Sequence, residues 1–225
     1  MPGVLITRPE PGAAETAAAV TALGWKPVLA PALVLAPCGI TPVQVQASLI
    51  TSRAAAAALP LGPPVLAVGE ASAQAARALG HQALAASGDA AGLLALAKAR
   101  LNPTDGPLLL AVGQGYAQDL AEGLRAAGFR VLRRVAYVAR PADAPPAEAV
   151  QALAAGRIRA GLFFSPRSAA LAMPHLAAAA PAIRAIAISP RVAHTLRRLP
   201  WASISIAAQP DHAAMLGALG RAIDH

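Results

Sequence analysis

A layered α/β fold, with parallel sheets divided between two similar domains, is what this sequence predicts, on three observations. Short apolar runs alternate with alanine-rich helical stretches along the whole 225-residue chain, the pattern of strands joined by crossover helices. A strand–helix–strand unit occurs twice, about 104 residues apart. A second type of unit, an apolar run ending in serine with an arginine close behind, also occurs twice: Leu49-Ile-Thr-Ser-Arg53 and Leu162-Phe-Phe-Ser-Pro-Arg167.

The first unit opens on Val4-Leu-Ile-Thr-Arg8, continues through an amphipathic stretch from Gly12 to Leu23, and returns as Gly24-Trp-Lys-Pro-Val-Leu-Ala30. Strand, helix, glycine stop and strand follow in that order. Its second copy runs from Leu108-Leu-Leu-Ala-Val112 through a helix around Tyr116 to Ala127 and then Gly128-Phe-Arg-Val-Leu-Arg133. Gly24 aligns with Gly128, Trp25 with Phe129 and Glu15 with Asp119. An extended, proline-bearing tail follows each copy, Pro31 to Pro37 and Val135 to Pro141, which fits an edge strand or connector better than a central strand. Each serine-ending run is followed by a further strand that opens another helix, at Val65 to Gly69 and at Ala185 to Ser189. The order is A, B, A′, B′, and the residues alone leave open which A shares a sheet with which B. Two bodies joined by two connectors would leave a cleft with hinge freedom.

Bulk properties narrow the function. The chain carries 19 Lys plus Arg against 11 Asp plus Glu, a formal charge of +8, with Lys26 and Lys98 the two lysines. An anionic partner is implied. Nucleic acid is a poor fit, because the arginines are dispersed and aromatics make up 3% of residues, too few for stacking platforms. A small anionic substrate fits better. No apolar stretch has the length of a membrane span, and the start, Met1-Pro-Gly-Val-Leu-Ile, lacks the pattern of a signal peptide. The single cysteine, Cys38, fits a reducing compartment. A cytoplasmic protein is expected.

Catalytic machinery of the usual kinds is thin. The five histidines, His81, His175, His194, His212 and His225, have no metal-ligand spacing, so no metal is expected and surface or capping roles are. Ser52, His194 and Asp211 could be combined into a triad, but no Gly-x-Ser-x-Gly elbow supports it. Gly113-Gln-Gly115 opens a helix after a strand, but position 118 is Gln118, so the dinucleotide fingerprint is incomplete. A helix start with room for a ligand remains. Glu10, Glu15, Glu70, Asp119 and Glu122 sit at helix starts or on helix surfaces, where capping and dipole roles suffice. The serines at strand ends could likewise be simple N-caps. What favours a site is their joint placement, with Arg8, Arg53 and Arg167, where open α/β sheets bind ligands.

Taken in order, these short motifs resemble the uroporphyrinogen-III synthase family over essentially the whole chain. The resemblance rests on Ile6-Thr-Arg-Pro9, the Gly24–Pro31 segment, Ile50-Thr-Ser-Arg53, Val68-Gly-Glu-Ala-Ser-Ala73, the connector bearing Tyr137, and Phe163-Phe-Ser-Pro166. It departs at Ser189-Pro-Arg-Val-Ala193, where the family pattern has glycine at 189 and threonine at 192. The resemblance implies two similar parallel-sheet domains joined by a two-stranded linker, the first discontinuous. Residues 1–33 with 145–225 would form the first, 42–133 the second, and 34–41 and 134–144 the linkers. It implies a cofactor-free cyclisation of hydroxymethylbilane to uroporphyrinogen III, with loss of water and inversion of the last pyrrole ring. Ser52, Ser72, Ser165 and Ser189, with Gly69 and Gly113, would bind the substrate's carboxylate arms, and Arg8, Arg53 and Arg167 would supply charge. Tyr137 would protonate the departing hydroxyl. The resemblance also implies a monomer in transient contact with hydroxymethylbilane synthase. The rival reading is a non-enzymatic two-domain protein that binds or senses a small anion.

Overall fold

The computed structural model describes residues 1–115 and 117–222. The chain forms two units, Met1–Val34 with Arg140–His225, and Leu35–Ala139.

In the first unit, β1 (Gly3–Ile6), α1 (Gly12–Ala22) and β2 (Lys26–Leu29) precede the departure of the chain. After its return come α6 (Ala147–Ala154), β9 (Ile158–Phe163), α7 (Pro166–Leu176), β10 (Arg184–Ala187), α8 (Pro190–Leu196), β11 (Ser203–Ile206) and α9 (His212–Leu219). The sheet order is β11-β10-β9-β1-β2, with every adjacent pair parallel. Period-two alternation sends successive side chains to opposite faces. Leu5, Val28, Phe163, Ala185 and Ala187 pack on one face under α6, α7 and α8. Val4, Ile6, Ala160, Leu162 and Ile186 pack on the other under α1 and α9. Both faces are covered, which is why the central strand β1 is apolar and buried at every position, while the edge strands β2 and β11 carry Lys26, Ser203 and Ser205.

The second unit repeats the plan. β4 (Ala47–Ile50), α2 (Arg53–Ala56), β5 (Val65–Ala67), α3 (Glu70–Ala78), β6 (Ala83–Ala85) and α4 (Ala90–Arg100) come first. They are followed by β7 (Leu108–Gly113), α5 (Gln118–Ala126) and β8 (Val131–Pro141). With β3 (Leu33–Pro37) at the edge, the order is β3-β8-β7-β4-β5-β6. Leu49, Leu66, Leu108, Leu110 and Val112 meet α4 and α5 on one face. Ile50, Val65, Ala67, Leu109 and Ala111 meet α2 and α3 on the other. The A unit therefore shares its sheet with B′, and B with A′, a choice the residues alone had left open.

Gly24 and Gly128 each follow a helix at positive φ, 84° and 90°, as the aligned glycine stops predict, because a left-handed residue there ends a helix at low steric cost. The first tail forms the edge strand β3, as expected, and the second departs from expectation. Val131–Pro141 is one continuous strand, and β8 lies inside its sheet between β7 and β3. Pro141 is its last residue, so the proline removes no interior ladder donor. The second-copy helix begins at Gln118 rather than near Tyr116; Tyr116 and His225 lie outside the described residues.

Ser48 Oγ and His81 Nδ1 are buried without a hydrogen-bond partner. An unsatisfied buried hydroxyl costs roughly 1 kcal/mol or more. Ser48→Ala is therefore expected to raise the denaturation midpoint, read by chemical unfolding. His81 is a correction to the expectation of surface or capping histidines: it is buried. Burial also holds its pKa below the ordinary value. Near that ordinary value, about 6.5, the unfolded chain then binds more protons than the folded one. Stability should be fully present above that pH and fall as the pH drops below it. His81→Leu should flatten this decline in unfolding midpoints measured from about pH 7.5 to about pH 5, the window that brackets the ordinary imidazole value.

Candidate functional site

Open parallel sheets bind ligands beyond the carboxyl ends of their strands, at the point where strand order reverses. Each unit has one such point. In the first it falls between β1 and β9, and in the second between β4 and β7.

In the second unit three sequence-nominated residues meet there. β4 turns through Thr51 and Ser52 into α2, and β7 ends at Gly113. Tyr137, on β8, is paired with Gly113 after a register shift between Val112 and Gly113, an irregularity of the kind that re-aims a side chain. The phenol ring lies directly over Gly113, where an added Cβ would come within 2.8 Å of both Cζ and Oη. Glycine is required here by that close approach, not by a nucleotide phosphate. The ring reaches the turn after β4, and Ser52 Oγ donates a hydrogen bond to Tyr137 Oη at 3.1 Å. Ser52 occupies the N-cap position of α2, yet its side chain makes no capping bond.

Gly69 follows β5 and N-caps α3 without a side chain, and Ser72 is buried in the helix's first turn. Glu70 stands at the same helix start. Arg77 Nη1 lies 2.7 Å from its carboxylate, and that hydrogen bond holds the carboxyl pKa below its ordinary value. Arg53 is half-buried at the start of α2.

In the first unit the switch point is tied together by Thr7, whose buried Oγ1 donates to the Leu162 carbonyl at 2.8 Å. Arg8 folds back over the helix that follows it: its guanidinium sits 4.5 Å from the Phe164 ring centroid, a cation–π contact. Its Nη1 donates to Thr16 Oγ1 at 3.4 Å. The guanidinium occupies the space that a Cβ at Gly12 would need. Thr16 Oγ1 donates to the Gly12 carbonyl at 2.9 Å and lies 3.2 Å from His212 Nε2. A hydroxyl has one proton, so Nε2 is the donor in that second contact.

The remaining serines behave as N-caps. Ser165 Oγ accepts from the Ser168 N–H at 3.0 Å, and Ser189 Oγ accepts from the Val192 N–H at 3.5 Å. Proline follows each at the first helical position, where its missing N–H costs nothing. Arg167 is exposed one residue further on. Val192, where the family pattern has threonine, points from α8 into the core and is buried there.

Sequence reasoning missed several of these residues. Arg191 stands to Ser189 as Arg167 stands to Ser165, in a repeated Ser-Pro-Arg tripeptide that was legible. Phe164 and Thr16 carried a weaker signal, as neighbours of nominated residues. His212 carried none, since it meets Thr16 only through tertiary packing. Asp211, the third member of the combination with Ser52 and His194, caps α9 by accepting from the Ala214 N–H at 2.8 Å. Among the described residues, no group of three or more His, Cys, Asp or Glu could hold a metal. No described helix is long and apolar enough to cross a membrane.

If Ser165 works as an N-cap, Ser165→Ala should lower stability by about 1 kcal/mol, whereas Ser165→Asp should retain it. Thermal unfolding of the two variants checks this.

Comparison with known proteins gives a consistent result. The family model for uroporphyrinogen-III synthase HemD matches residues 14–217. The structure of uroporphyrinogen-III synthetase from Helicobacter pylori is similar in fold, with 18% identity, a TM-score of 0.57, and coverage of 96% of this chain and 97% of that one. Uroporphyrinogen III synthase from Thermus thermophilus matches at 20% identity over 91% of this chain and 92% of that one, with a TM-score of 0.38. No curated protein matches the chain.

Proposed function

The chain belongs to the uroporphyrinogen-III synthase family, and from that premise we propose how its residues close hydroxymethylbilane to uroporphyrinogen III. The substrate carries eight carboxylates, which suits a chain of +8 formal charge. Arg8, Arg53 and Arg167 supply charge. Ser72, Ser165 and Ser189, with the N–H groups of the turns at Gly69 and Gly113, bind acetate and propionate arms. An N-cap serine accepts its capping N–H through a lone pair and keeps its own proton. Ser189 can therefore cap its helix and still donate to a carboxylate.

Tyr137 is the proton donor. Protonating the terminal hydroxyl breaks the C–O bond, releases water and leaves an azafulvene cation; ring closure then expels a proton, which restores the phenol. No hydrolysis and no redox change occurs, so the reaction class is a cyclising hydro-lyase. The cation is reactive by itself and closes to the symmetrical isomer I when unguided. The protein's contribution is largely positional, holding the chain so that spiro closure inverts the last ring. The scarcity of acid/base residues accords with that.

The observation that carries this reading is the phenol of Tyr137 at the strand-order reversal of the second unit, seated on Gly113 and bonded to Ser52. Family membership favours the enzyme over the anion-binding alternative. A monomeric cytoplasmic enzyme that receives its short-lived substrate through transient contact with hydroxymethylbilane synthase completes the proposal.

Purified protein given freshly generated hydroxymethylbilane should yield isomer III at a rate proportional to protein, read by chromatography of the oxidised porphyrins. Isomer I at the spontaneous rate would sink the proposal. Tyr137→Phe should lower kcat by roughly a hundredfold with KM nearly unchanged, the size expected for a lost general acid. Unchanged turnover would remove Tyr137 from the mechanism.

A further inference from the structure

Building on Tyr137 as the proton donor, we propose that Ser52 and Gly113 are positioning residues for its phenol, and that Ser52 is not a carboxylate ligand. Two observations carry this. The order β8-β7-β4 puts Tyr137 two strands from Ser52, a span of about 10 Å at the usual strand spacing. The side chain bridges it only by crossing the end of β7, and there Gly113 leaves it room: any Cβ would meet the ring at 2.8 Å. Beyond that point the phenol oxygen meets Ser52 Oγ at 3.1 Å, with the serine as donor.

The proton inventory then separates the roles. Ser52 has one hydroxyl proton, and it is directed to Tyr137 Oη. A carboxylate accepts and does not donate, so this hydroxyl has no proton left for an acetate or propionate arm. Tyr137 takes Ser52's proton on a lone pair, and its own O–H proton is left to point elsewhere, toward the departing hydroxyl. As that proton transfers and the C–O bond breaks, negative charge develops on Oη, and the bond from Ser52 becomes charge-assisted and stronger. An interaction that strengthens only as charge develops lowers the barrier without tightening substrate binding. Gly113 acts by shape: it sets where the ring can lie. Ser189 differs in kind, since its Oγ accepts from its own helix.

The test is a double-mutant cycle with an isomer readout. Ser52→Ala should lower kcat roughly tenfold with KM within about twofold, and should raise the fraction of isomer I. Ser52→Thr keeps the hydroxyl and should recover most of the loss. In a Tyr137→Phe background, Ser52→Ala should change kcat by less than about twofold, because the oxygen it serves is gone. Gly113→Ala should lower kcat as Ser52→Ala does; if it fails to fold, the Ser52 series decides alone. A rise in KM at constant kcat would make Ser52 a substrate ligand and overturn the inference, as would full additivity in the cycle. Either result beside a slow Tyr137→Phe overturns this inference and leaves the proton donor standing. A Tyr137→Phe enzyme with normal kcat overturns both.

Discussion

A parallel sheet covered by helices on both faces has one place left for chemistry, the carboxyl edge, and the rest of this molecule follows from that constraint. Leu5 lies under α6–α8 while its neighbours Val4 and Ile6 lie under α1 and α9, so the interior of a central strand such as β1 presents no polar group to a ligand. Function falls to the residues that follow each strand and to a side chain that reaches over a strand end, as Tyr137 on β8 does over Gly113. There the chain must turn into a helix, and the turn leaves N–H groups and short polar side chains together. The strongest positions are where strand order reverses, because adjacent connections run to opposite faces and part. In each unit a polar assembly occupies that point: Thr7, Arg8, Thr16 and His212 in one, Ser52, Gly113 and Tyr137 in the other.

The two units use the same edge differently. In the first, serines at the strand ends close their own helices, and prolines at the first helical position reinforce those starts. In the second, the turns at Ser52 and Gly69 have no side-chain cap. A side chain that is free of capping can face another side chain, and Ser52 does so. Repetition of a turn in sequence thus does not impose repetition of a role. The deciding difference is whether a partner stands nearer than the helix's own N–H, and for Ser52 the phenol of Tyr137 does.

Much of the candidate site was legible before any coordinates. Thr7-Arg8, Thr51-Ser52, Gly69 and Ser165 are each short polar breaks after apolar runs, and period alone places them at strand ends. Tyr137 was legible by its rarity and by the family pattern. The reason for Gly113 was not. A glycine at a strand end is consistent with phosphate binding, a tight turn or a close side-chain approach, and these differ only in what lies across the sheet. His81 shows the same limit from the other side: nothing around Gly80-His81 in the sequence marks its imidazole as buried. Burial depends on what packs against a residue from distant parts of the chain.

The sequence by itself determined the strands β1, β2, β4, β5, β7, β9 and β10, the glycine stops at Gly24 and Gly128, and which residues stand at the edge where ligands bind. These are local properties, written in a period of two or of about 3.6 and in the chemistry of single turns. Only the tertiary structure decided that the first strand–helix–strand unit shares a sheet with the last serine-ending unit. It alone decided that Val131–Pro141 runs unbroken inside a sheet, and that a tyrosine crosses one strand to meet a serine on the next. Pairing between strands far apart in the chain is chosen by which faces can be buried together, and no single segment carries that information.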